Sequence, residues 1–157
     1  MIQRIQSVFL GLIAILMTLF LFLPIWKKID AQAGEHVLIN AFGTSHMKGE
    51  IMISEKGAVY IFILAFFSVI ISVISLLNYR NRPRQILLNL INSLLIAISV
   101  VASALLISDA EKILLPAQKG NFQVGLFLPV IALVCNMLAN RFIRKDENLV
   151  RSADRIR

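Results

Sequence analysis

The sequence predicts an all-α integral membrane protein: four transmembrane helices in one antiparallel bundle, with a small β-hairpin in the first outer loop. Three observations predict it. Of 157 residues, 58% are hydrophobic and only 16% charged, whereas a soluble domain runs near half and a quarter. The apolar residues gather into four runs, 7–26, 58–79, 86–107 and 122–142. At about 1.5 Å per residue each run can cross a hydrocarbon core of roughly 30 Å, while barrel strands would be half as long and would alternate. The basic residues, finally, are sorted to one side of these runs.

In chain order, the first run could pass for a signal peptide, with Arg4 ahead of it and Ala31-Gln32-Ala33 behind. It is longer than the usual 7–15-residue apolar region, and Trp26, Lys27, Lys28 and Asp30 separate it from the alanines, so it is read as a retained helix. The outer loop 27–57 holds two short apolar stretches, 36–42 and 50–54, around Gly43–Gly49, the pattern of a hairpin. An isolated hairpin is marginal in water, so it must rest on helix ends, lipid or a partner. The second and third runs flank a short basic loop at 80–85. The third and fourth flank a second outer loop, 108–121, and a charged tail, 143–157, follows the last run. The whole chain is expected to be one membrane domain.

Orientation follows from lysine and arginine in the short loops. The side carrying both termini holds ten basic residues (Arg4, Arg80, Arg82, Arg84, Arg141, Arg144, Lys145, Arg151, Arg155 and Arg157) against Asp146, Glu147 and Asp154. The other side carries six lysines against six acids. The net charge of +7 therefore lies on one side, which predicts both termini in the cytoplasm. Nine of those ten bases are arginine, which grips phosphate as a fork. An anionic lipid surface is the expected partner there. Nucleic acid is not, because no aromatic residues interleave with the arginines.

Helices in lipid associate through small and polar residues. Each run carries such a set at helical spacing: Ser7, Gly11, Ala14, Thr18; Ala65, Ser68, Ser72, Ser75; Asn89, Asn92, Ser99, Ser103; and Gly125, Pro129, Ala132, Asn136, Asn140. Asn89, Asn92, Asn136 and Asn140 form a polar cluster at the inner ends, read either as helix–helix hydrogen bonds or as a vestibule for a headgroup or small solute. No span holds a carboxylate or histidine that could relay protons. His36 and His46 lie in the outer loop without a zinc pattern. The lone Cys135 can form neither an internal disulfide nor a CxxC pair. No catalytic residue, cofactor or metal site is expected.

The opening Met1-Ile2-Gln3-Arg4-Ile5-Gln6-Ser7 and the closing Arg144-Lys145-Asp146-Glu147-Asn148-Leu149-Val150-Arg151-Ser152-Ala153-Asp154-Arg155-Ile156-Arg157 resemble a bacterial family, domain of unknown function 4293, small four-span inner-membrane proteins. The resemblance covers the whole chain in length and layout. It implies a bacterial inner-membrane location and no activity. It directs attention to the two cytoplasmic ends, where Gln3, Arg4, Arg80, Arg82, Arg84, Asp146, Glu147, Arg151, Asp154 and Arg155 are candidates for contact with a partner or with lipid. The expected function is a non-enzymatic accessory or scaffold subunit bound to another membrane protein. The alternative is a transporter of a small solute or lipid with an asparagine-lined, cytoplasm-facing site.

Overall fold

The computed structural model describes residues 3–30, 34–78, 81–112 and 119–154. Four long helices, α1 (Gln3–Phe22), α2 (Val59–Leu77), α3 (Arg82–Ala110) and α4 (Val124–Asp154), alternate in direction. They pack in a closed ring: α1 against α2 and α4, and α3 against α2 and α4. All four are long and apolar enough to cross a membrane.

The all-α expectation is overturned. Between the helices lie five strands, β1 (Trp26–Asp30), β2 (Glu35–Ile39), β3 (Gly43–Lys48), β4 (Ile51–Gly57) and β5 (Asn121–Phe122). They form one antiparallel sheet ordered β4-β3-β2-β1-β5, so the fold mixes helices and sheet. The expected single hairpin fails for local reasons. Leu23 precedes Pro24, which disfavours further helix, so the first helix ends at Phe22 and Trp26–Asp30 becomes a strand. Of the segment read as a turn, Gly43–Gly49, all but the last residue is β3. The turn before it is made by Asn40, whose Oδ1 accepts the backbone N–H groups of Phe42 and Gly43 at 3.1 and 3.0 Å.

The sheet sits on the ends of the helices opposite the chain termini; these two ends are called here the sheet end and the terminal end. On its inward side Trp26, Val37 and Ile39 merge with Phe20, Ile61, Leu106 and Leu128 into one apolar core. Phe42 stacks on Phe62 of α2 with centroids 4.9 Å apart. Lys28 is buried, and its ammonium donates to the carbonyl of Glu111 at 3.0 Å, just past the last turn of α3, where a cation complements the helix dipole.

Within the ring, the small-residue stripes of α2, α3 and α4 face inward as expected: Ala65, Ser68, Ser72 and Ser75; Asn89, Asn92, Ser99 and Ser103; Gly125, Pro129, Ala132 and Asn136. The stripe expected on α1 does not. Thr18 is exposed, and the buried face is Gln6, Leu10, Ile13, Met17 and Phe20. Volume explains this. Three helices present small side chains to the axis, so the fourth must supply large ones to reach normal packing density.

Candidate functional site

At the terminal half of the ring, each inward-facing asparagine meets serines of a neighbouring helix. Asn92 accepts a hydrogen bond from Ser68 Oγ at 2.6 Å and donates to Ser72 Oγ at 2.9 Å. Asn89 Oδ1 accepts from Ser75 Oγ at 2.7 Å. These bonds join α3 to α2. Asn136 joins α4 to α3, donating from Nδ2 to the Asn89 carbonyl at 2.8 Å and to Ser93 Oγ at 2.7 Å. Gln85 adds a bond from its Nε2 to the Ser75 carbonyl at 3.1 Å. Asn89, Asn92 and Asn136 are fully buried. Their bonds make these residues ties between helices, while Asn89 Nδ2 and Asn136 Oδ1 have no hydrogen-bond partner among the described residues. Asn140 lies one turn beyond Asn136, half-buried, and its Oδ1 has no hydrogen-bond partner among the described residues.

At the rim of the terminal end, Arg82 in the first turn of α3 pairs with Asp146 of α4 at 3.0 Å. Both side chains are mostly shielded, at 21% and 14% exposure, so this pair holds the end of α4 against the start of α3. Phe9 and Phe142 stack nearby at 5.7 Å, joining α1 to α4. Arg84 is exposed and Glu147 half-buried with a partner of its own. Gln3 and Arg4 fall in the first turn of α1, and Arg151 and Asp154 in the last turns of α4; their side chains, with Arg80 and Arg155, lie outside the described residues.

Sequence reasoning missed a groove of about 640 Å³ along α4, lined by Met137, Asn140, Arg141, Arg144, Lys145 and Asn148. Arg141, Arg144 and Lys145 had served only to orient the chain. Their three- and four-residue spacing was the signal that one helical face collects them. An apolar cleft of about 540 Å³ lies between α3 and α4 near the sheet end, lined chiefly by Val100, Ala104, Ile107, Phe122, Leu126 and Phe127.

In the sheet, Glu35 accepts from Lys48 Nζ at 3.0 Å and lies 3.2 Å from His46 Nε2. The hydrogen bond from Lys48, reinforced by His46, holds the Glu35 carboxyl below its ordinary range against a smaller opposing effect of burial. Among the described residues no group of three histidine, cysteine, aspartate or glutamate side chains is placed to hold a metal.

Residues 2–156 match the family described as Domain of unknown function (DUF4293). The chain belongs to this family. No curated protein matches it. For this DUF4293 member the match extends from the first turn of α1 through the end of α4, so the helices and the sheet fall together inside a single family domain.

Proposed function

We propose that this chain is a non-enzymatic scaffold or accessory subunit of the bacterial inner membrane, with both termini in the cytoplasm and the sheet outside. The observation that carries the reading is the use made of the intramembrane polar groups. Asn89, Asn92 and Asn136 are fully buried and bonded to neighbouring helices, so they serve cohesion rather than a passing solute. The outward faces stay apolar, with Leu90, Leu94, Ile98, Val101 and Leu105 exposed along α3. Such a face meets lipid or another membrane protein. The arginine-rich terminal end supports its assignment to the cytoplasmic side.

Two experiments test this. Single cysteines replacing Glu50 and Asn148, both exposed, in a Cys135→Ala background are probed with an impermeant thiol reagent on spheroplasts. Labelling at position 50 and protection at 148 is expected; the reverse pattern overturns the orientation. A photo-crosslinking amino acid is then placed at Leu94 or Leu105 in cells, with the buried Ile96 as control. A discrete protein adduct from an outward position and none from position 96 is expected. Lipid adducts alone from every outward helical face would remove the scaffold reading.

A further inference from the structure

We infer that the groove on α4 is a binding site for an anionic phospholipid, with the lipid phosphate held by Arg141, Arg144 and Lys145. The inference rests on α4 crossing a membrane. It does not depend on which side is cytoplasmic or on a scaffold role.

Position comes first. α4 has 31 residues, about 46 Å at 1.5 Å per residue, against a hydrocarbon core of roughly 30 Å. Its last third therefore stands at or beyond the headgroups. The groove straddles that boundary. Met137 lies toward the hydrocarbon, the three cations follow within the next two turns, and Asn148 closes the far end. A lipid has the same order, acyl chain then phosphate then polar headgroup, whereas a free anion would have no use for the apolar end.

Charge comes second. Arg141, Arg144 and Lys145 are all exposed, and none has an ion-pair partner among the described residues. No acid is among the described residues that line the groove. Asp146, between these bases in sequence, is turned to Arg82 at 3.0 Å, and Glu147 is half-buried with its own partner. The acids nearest in sequence therefore leave the groove cationic. Arginine offers paired N–H donors that match phosphate oxygens, and lysine adds a point charge. Basic pockets at this depth recognise anionic headgroups.

Size comes third. The volume of about 640 Å³ falls within the roughly 300–1,000 Å³ of small-ligand sites.

The test uses the full chain, purified in a mild detergent and delipidated. It is titrated with phosphatidylglycerol, with phosphatidylcholine and with inorganic phosphate, and read by native mass spectrometry. The variants are Arg144→Gln with Lys145→Gln, Arg141→Gln alone, and Lys56→Gln in β4 as an exposed control outside the groove. Wild-type protein is expected to retain phosphatidylglycerol over phosphatidylcholine. The double variant should lose about ten- to thirty-fold in that affinity, as expected for two headgroup-facing cations. Arg141→Gln should lose a smaller amount, and the control should stay within about two-fold. Millimolar inorganic phosphate should leave lipid binding unchanged. Equal retention of the two lipids, or equal binding by groove variants and control, would overturn the site. Full competition by inorganic phosphate would make it a free-phosphate site and overturn the lipid assignment. None of these outcomes bears on the crosslinking that tests the scaffold reading.

Discussion

Gly125 and Gly11 both sit in helices long and apolar enough to cross a membrane, and adding a methyl group should move stability in opposite directions. Gly125 opens α4 against the chain leaving α1, and its N–H donates to the Pro24 carbonyl at 3.0 Å. A Cβ there would fall on the Pro24 oxygen, 2.9 Å from the Pro24 carbonyl carbon and 3.0 Å from the Leu23 oxygen. Ordinary contact begins near 3.4 Å, so the two backbones must separate by about 0.5 Å at the carbon and more at the oxygen. Such overpacking costs about 1–3 kcal/mol. Weakening the hydrogen bond adds about 1 kcal/mol, and the better helix propensity of alanine returns about the same. Gly125→Ala should therefore destabilise by about 1–3 kcal/mol. At Gly11 a Cβ meets only Leu76 Cδ1, at 3.7 Å, so Gly11→Ala should keep the propensity gain of up to about 1 kcal/mol. In a thermal melt in detergent, Gly125→Ala should lower Tm by about 3–10 °C and Gly11→Ala raise it by up to about 3 °C. A Gly125→Ala protein that melts at or above wild type would refute the backbone contact.

Asn136→Leu keeps side-chain volume but removes the bonds to Asn89 and Ser93. The same melt should show a loss of about 1–2 kcal/mol, the worth of two interhelical bonds, and an unchanged Tm would mean the bonds contribute nothing. Arg82→Gln and Asp146→Asn, combined in a double-mutant cycle, should give a coupling of about 1–2 kcal/mol, between exposed and buried pairs. Zero coupling would show that the end of α4 is held by other contacts. Because the folded-state pKa of Glu35 is lowered, its contribution is complete above the carboxyl value of the unfolded chain. That contribution disappears as pH falls through the lowered value. Denaturant unfolding followed by Trp26 fluorescence should weaken on acidification below 4.5, and Glu35→Gln should show a smaller acid loss; an identical loss would remove Glu35 as a cause.

The helices were legible because hydrophobic length is a local property, read directly from each run. The inward faces of α2, α3 and α4 were legible for a related reason, since serine, alanine and asparagine at helical spacing have few other uses in lipid. The face of α1 depended on its neighbours. Leu10, Ile13, Met17 and Phe20 face inward because the other three helices present small residues, and no pattern within α1 records that. The sheet was hidden twice. Trp26 reads as the end of the first run with Lys27–Asp30 in the loop, and Gly43–Gly49 reads as a turn; Trp26–Asp30 and Gly43–Lys48 become strands only through partners elsewhere in the chain. Of the candidate site, the Arg82–Asp146 pair could be anticipated from two charges at one depth. The cationic groove was missed because the charges were sorted by side alone, although the spacing of Arg141, Arg144 and Lys145 places them on one helical face.

The position of β5 sets an order of assembly. Strands β1 to β4 lie between α1 and α2 in the chain, so these four can pair as soon as the first helical hairpin has formed. Two things are then still missing. The outer edge of β1 waits for Asn121 and Phe122, and the ammonium of Lys28 waits for the carbonyl of Glu111. Both arrive only with the second hairpin. The sheet thus acts as a latch: its last strand can close only after α3 is in place, coupling completion of the sheet to packing of the second pair of helices.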